Sequence, residues 1–395
     1  MLSRKVTRVA VGYFVVISLF ATLLSGASLL GAQDQVEPGW EIIQTCTDGL
    51  SYPVIPRSQW DFQGVIFSEG HSGVRAIRTD VDTSYFIAFG SDSTFPVAGA
   101  FSPDGKWFAY PVGRTGHYVT NSGGTDYVMD AIEVVSTSPA RLVRRFEWHD
   151  WGMAIAPQYA LSNVQWLDNE RLFYPGGYIS DADPYAFGVV NVTSNQLEPW
   201  SPAELSHYLY GVSPDATRGF VYESSSTPSM SYSPAYSMNL VNVITGSVIN
   251  SIATDTVLEK VWQYDSAAFH TSNWDTDSTP KYQLASFSRD GATLDVLYTS
   301  DTDAAYNLSI SPQDDLLAFT AGNQLFVADL TKRQLRDLCF SFGETGWEFP
   351  IVWSPDGRQL AFTYDSYPVL LSLDTLEMEV LDYPTGRLLG WYPVE

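Results

Sequence analysis

Phe101-Ser102-Pro103-Asp104-Gly105, followed by Phe108-Ala109-Tyr110, returns far along the chain as Trp353-Ser354-Pro355-Asp356-Gly357 ahead of Leu360-Ala361-Phe362. Four worn copies lie between them. They are Gln165-Trp166-Leu167-Asp168-Asn169 before Leu172-Phe173-Tyr174, Val212-Ser213-Pro214-Asp215 before Phe220-Val221-Tyr222, Trp262-Gln263-Tyr264-Asp265 before Ala267-Ala268-Phe269, and Ile310-Ser311-Pro312-Gln313-Asp314 before Leu317-Ala318-Phe319. A phrase that recurs with the same downstream pattern marks one supersecondary unit used many times. Proline presets a turn angle and favours an extended residue before it, aspartate bonds the backbone two residues on, and glycine takes the left-handed position. Each copy therefore reads as strand, tight turn, strand, and the turn itself is structural.

Aligning the residue before each serine gives anchors at Phe101, Gln165, Val212, Trp262, Ile310 and Trp353, with Trp391 in Leu388-Leu389-Gly390-Trp391-Tyr392-Pro393 as a seventh. Successive anchors lie 64, 47, 50, 48, 43 and 38 residues apart. Such spacing suits one four-stranded propeller blade per unit. Ahead of the first anchor, Gly64-Val65-Ile66-Phe67, Val74-Arg75-Ala76-Ile77 and Tyr85-Phe86-Ile87-Ala88 read as three strands that lack an inner partner. The expectation is an all-β, seven-bladed propeller of four-stranded antiparallel blades whose first blade is closed by the C-terminal strand around Trp391. An open ring would expose sheet edges.

These residues resemble the TolB-type propeller family, whose repeats carry a Trp/Phe-Ser-Pro-Asp-Gly core and an Ile/Leu-Ala-Phe strand. The resemblance covers roughly residues 60–395. The chain is less similar to Trp-Asp repeat propellers, because Trp60-Asp61 and Trp274-Asp275 are its only such dipeptides. The resemblance implies a protein-binding domain, the gating domain of a serine peptidase, or a carbohydrate-active enzyme. The peptidase reading needs a Gly-x-Ser-x-Gly elbow on a following domain, and the sequence holds none.

Arg4, Lys5 and Arg8 precede an uncharged run from Val9 to Ala32 with small residues at Ser25, Ala27 and Ala32. That order is a secretory signal, cleaved after Ala27 or Ala32; the same run is long enough to stay as a membrane anchor with its positive end inside. The division is thus residues 1–32 as signal peptide or anchor, 33–59 as an N-terminal arm and 60–395 as propeller, in an extracytoplasmic setting, secreted or periplasmic. The formal charge is −24. Without residues 1–32, 18 basic side chains face 45 acidic ones. Such a domain repels nucleic acid and anionic membrane surfaces, which leaves an uncleaved anchor as the only membrane contact. Cys46 in the arm and Cys339 in the sixth unit are the two cysteines, and an exported chain with such a pair suggests one disulfide pinning the arm to the ring.

In an up-and-down blade the Ser-Pro-Asp-Gly turns occupy one face and the longer connections the other. Those connections cover 112–127, 147–159, 175–185, 223–236, 271–281, 299–306 and 340–348, and scaffolds place binding sites on the elaborated face. His71, His117, His149, His207 and His270 map to that face or its rim, with no zinc spacing among them. Alternating acids at Asp181/Asp183, Asp275/Asp277 and Asp301/Asp303 are hard oxygen donors that suit calcium, yet none completes a twelve-residue calcium loop. Trp148 and Trp151 flank His149, Tyr178 precedes Asp181, and Trp274 precedes Asp275, so aromatic faces meet polar groups as sugars and peptides require. The candidate ligand or partner residues are Trp148, His149, Trp151, Tyr178, Asp181, Asp183, Trp274 and Asp275; no catalytic set, metal site or cofactor emerges. The leading reading is an exported, non-catalytic scaffold binding protein or glycan through its long-loop face. A carbohydrate-active enzyme using loop carboxylates is the second reading, and a calcium-dependent adhesion module the third.

Overall fold

The computed structural model describes residues 40–44, 52–54, 64–70, 73–81, 83–89, 99–116, 126–147, 164–174, 187–200, 209–224, 236–252, 256–274, 279–342 and 350–393. Seven sheets of mainly antiparallel strands form a seven-bladed propeller. Named from the inner strand outward, blade 2 is Ala100–Phe101, Trp107–Gly116, Asp126–Thr137 and Ala140–Glu147; blade 3 is Gln165–Trp166, Arg171–Tyr174, Phe187–Asn191 and Gln196–Trp200. Blade 4 is Leu209–Val212, Arg218–Ser224, Tyr236–Asn242 and Val248–Ser251; blade 5 is Thr256–Trp262, Ala268–Trp274, Tyr282–Ser288 and Thr293–Ser300. Blade 6 is Ala305–Ile310, Leu316–Ala321, Gln324–Asp329 and Gln334–Ser341; blade 7 is Val352–Trp353, Gln359–Tyr364, Tyr367–Ser372 and Met378–Val380. Blade 1 takes Leu388–Tyr392 as its inner strand, beside Val65–Gly70, Gly73–Arg78 and Thr83–Phe89. Its register pairs Ile66 with Trp391, the seventh anchor.

The recurring phrase is explained by its hydrogen bonds. The Ser102 hydroxyl accepts the Trp107 amide at 3.0 Å and donates to Asp104 at 2.7 Å; Ser213 with Arg218 and Asp215, and Ser354 with Gln359 and Asp356, repeat the pattern. The residue three places after the serine, or after Gln263 in blade 5, closes the turn in the left-handed region: Gly105 and Gly357 in the clean copies, but Ala216, Ser266 and Asp314 in the worn ones. The geometry thus outlasts the glycine, although a side chain there costs about 1 kcal/mol. One alignment changes. Trp166 pairs with Leu172 as Phe101 pairs with Phe108, so Trp166 and not Gln165 is the anchor of blade 3, whose turn is a residue shorter.

These turns also fasten neighbouring blades. The Asp104 amide donates to Asn169 of blade 3 at 2.9 Å, and the Asp215 amide to Ser266 of blade 5 at 3.0 Å. The Tyr264 and Asp265 amides both donate to Asp314 of blade 6, at 2.7 and 2.9 Å. Anchor indoles bridge the same way, Trp166 to the Ala100 carbonyl and Trp353 to the Ser309 carbonyl, each at 2.9 Å.

Seven apolar clusters fill the seven gaps between adjacent blades, including the gap between blades 7 and 1 where Ile66, Ile77, Leu388 and Trp391 meet Ala361, Leu370 and Leu381. Each second strand of blades 2 to 7 contributes one fully buried phenylalanine: Phe108, Phe173, Phe220, Phe269, Phe319 and Phe362. Truncating such a ring to alanine costs about 3–5 kcal/mol, so the rings hold the blades face to face.

The arm carries structure of its own. Glu41–Gln44 adds a fifth, parallel strand to the outer edge of blade 6, and Val54 bridges Met378 on the outer strand of blade 7. Trp40 packs into the cluster between blades 5 and 6, and Tyr52 lies 5.9 Å from Phe340. Two outer edges that would otherwise offer unpaired backbone are thereby covered.

Candidate functional site

Of the ligand or partner residues expected from sequence, Trp148, His149, Trp151, Tyr178, Asp181, Asp183 and Asp275 lie outside the described residues, as do Cys46 and residues 1–32. Trp274 ends the second strand of blade 5 at the long-loop face, where its ring stacks on Tyr282 across the strand pair at 6.4 Å and 16°. Residues 271–274, expected in a loop, are strand instead, and His270 is not on the rim: it sits mid-strand, 1% exposed. The other four histidines lie outside the described residues. Among the described residues no three His, Cys, Asp or Glu side chains gather as metal ligands.

Next to Trp274 the long-loop face holds a pocket of ≈ 450 Å³ between blades 5 and 6. Tyr282 forms one wall from the start of a third strand, Thr302 and Asp303 come from the connection between the blades, Tyr306 rises from the inner strand of blade 6, and Gly322-Asn323 closes the far side. The last pair is a two-residue hairpin with φ of +55° and +64°, a turn in which both central residues must take the left-handed region. Glycine has a second reason to be there: a Cβ at Gly322 would meet the Asp303 carboxyl at 3.1 to 3.4 Å.

Asp303 is held in place by its own loop. Its amide donates to Ser300 Oγ at 3.0 Å, and Thr302 Oγ1 donates to its Oδ2 at 2.6 Å. The other oxygen, Oδ1, lies over Gly322 and accepts no hydrogen bond among the described residues. The Tyr306 phenol is pushed up by burial and then by the neighbouring Tyr282 and Glu259. Glu259, on the inner strand of blade 5, reaches toward blade 6 and accepts the Leu308 amide at 2.8 Å; burial raises its carboxyl above the usual range despite that bond.

Beneath this mouth blade 5 departs from the apolar rule of its neighbours. His270, Thr271, Ser272 and Asn273 are all buried, and among the described residues none of their side-chain polar atoms has a hydrogen-bond partner. The register sets Ser272 opposite Glu259 and Thr271 opposite Lys260. Burial pushes Lys260 down to about 8 and His270 down to about 4. Each unsatisfied buried group costs about 1–3 kcal/mol, so blade 5 carries an unusual load of buried polarity. The sequence signal was present at two positions: His270-Thr271 stands where the other units place apolar pairs such as Ala318-Phe319 and Ala361-Phe362.

A second cavity of ≈ 610 Å³ runs along the inner strands of blades 1, 2, 6 and 7. Pro103, Pro312 and Pro355 from the turns line one end, Tyr264 joins them, and Arg387 is the charged side chain in its wall.

No family model matches the chain, and no curated protein matches it in sequence. Solved structures do match in shape. A functionally unknown protein from Desulfotomaculum acetoxidans is 10% identical with a TM-score of 0.51 over 84% of this chain and all of that one. A chain of a mitotic checkpoint complex is 12% identical with a TM-score of 0.51 over 86% of this chain and 99% of that one. TolB from Acinetobacter baumannii is 12% identical with a TM-score of 0.40 over 84% of this chain and 67% of that one. At such identity the likeness is one of fold alone.

Proposed function

We propose that this protein is a non-catalytic β-propeller of TolB-like type that works outside the cytoplasm as a binding scaffold, taking its ligand on the long-loop face in the pocket between blades 5 and 6. The observation that carries the reading is the pocket itself: two tyrosines, a carboxylate with a free oxygen, a threonine and an asparagine converge on one concave site. A concave site with a few convergent polar groups is where a ligand is expected. Export is supported by Arg4, Lys5 and Arg8 ahead of the uncharged run to Ala32, and by the formal charge of −24, which disfavours nucleic acid and anionic lipid.

A direct test probes peptide and glycan arrays with the full chain, with Thr302→Trp to fill the pocket mouth and with Arg358→Trp on the turn face as control. Binding should be lost in the first variant and kept in the second. Binding that survives Thr302→Trp, or an intact fold that binds nothing, rejects the proposal.

A further inference from the structure

The geometry points to the chemistry of the ligand: we infer that the pocket between blades 5 and 6 takes one organic cation, an ammonium or guanidinium group such as a lysine or arginine side chain presents. The inference rests on the reading of that pocket as the binding site and goes on to what it selects. Three observations carry it. Asp303 offers Oδ1 with no hydrogen bond from a described residue, while Thr302 fixes the carboxyl from its other oxygen at 2.6 Å. Among the described residues no basic side chain stands in the wall to neutralise that charge. Tyr282 and Tyr306 supply π-faces or phenol oxygens, both of which attract a cation and gain strength where water is excluded.

Competing chemistries fit less well. An anionic ligand meets Asp303 with like charge. A neutral sugar finds hydroxyl partners in Asp303, Thr302 and Asn323 but leaves the carboxylate charge uncompensated. A cation satisfies the free oxygen of Asp303 by a charge-assisted bond. The net charge of −24 also raises the local concentration of cations around the whole domain.

Titration calorimetry on the full chain distinguishes these cases with four probes: Nα-acetyl-lysine methylamide, Nα-acetyl-arginine methylamide, the neutral isostere Nα-acetyl-norleucine methylamide, and methyl glucoside. We expect saturable binding of the two cations, absent for norleucine, weakened about tenfold by the isosteric Asp303→Asn and by Tyr306→Ala, with unchanged melting of the Asp303→Asn protein. Equal binding of lysine and norleucine probes, or cation binding indifferent to Asp303→Asn, overturns the inference. If methyl glucoside binds instead and Tyr306→Ala abolishes it, the cation falls while the pocket stands as a binding site. If no probe binds, the inference falls, and the array experiment with Thr302→Trp decides the pocket separately.

Discussion

His270 takes both ring nitrogens into the interior with no hydrogen-bond partner among the described residues, and burial holds its proton affinity down to about 4. An unfolded imidazole binds its proton near pH 6.5. Between the two values the unfolded chain holds more protons, so stability falls as pH drops from about 6.5 to 4, by about 3 kcal/mol over the window, and is unaffected above it. Glu259 acts with the opposite sign, since a raised carboxyl gives stability that is lost as pH rises past its unfolded value. Comparing wild type with His270→Met cancels that term. Urea melts from pH 7 to 4 should show the variant losing less stability than wild type; parallel losses would exclude His270 as the source. At this scale the site was half legible. Asp303 stood out in Asp301-Thr302-Asp303, but Tyr282, Tyr306 and Gly322-Asn323 come from separate stretches that only the packing of two blades brings together.

The turn between the first two strands of each blade is the element in which sequence and structure agree most closely. Its serine, proline and aspartate follow from local backbone needs, so a linear reading finds them. Seven blades and the closing strand at Trp391 follow from counting such turns, and the misplaced anchor at Gln165 arose where one turn is a residue shorter. What a linear reading misses is the second job of these turns. Asp314 stands at the place that glycine fills in the clean copies, which suggests Asp314→Gly as an improvement. Yet its carboxylate holds the Tyr264 and Asp265 amides of the preceding blade. We therefore expect Asp314→Gly to destabilise by about 2 kcal/mol in urea unfolding, and Asp356→Ala, which disturbs one hairpin, by about 1 kcal/mol. A more stable Asp314→Gly protein would show that the bridge between blades contributes little.

Across the whole molecule the arm was the least legible part, because Glu41 and Gln334 bond side chain to side chain at 2.9 Å from positions 293 residues apart. Parallel pairing sets Gln44 beside Asp337, two residues before Cys46 and two before Cys339 respectively. That register supports the proposed Cys46–Cys339 disulfide. Thiol titration of denatured, unreduced protein should find no free thiol, and Cys46→Ser should cost about 2–4 kcal/mol; two titrating thiols would end the idea. The closing strand has a further consequence, one of timing. Val65–Gly70 leaves the ribosome early, but its inner partner Leu388–Tyr392 is translated after blades 2 to 7, and Glu41–Gln44 must await blade 6. The ring therefore cannot be finished one blade at a time as the chain is made. A nascent chain holds unpaired strands at its leading end until the trailing end arrives, which gives chaperones and proteases a window that shuts only when synthesis has passed Tyr392.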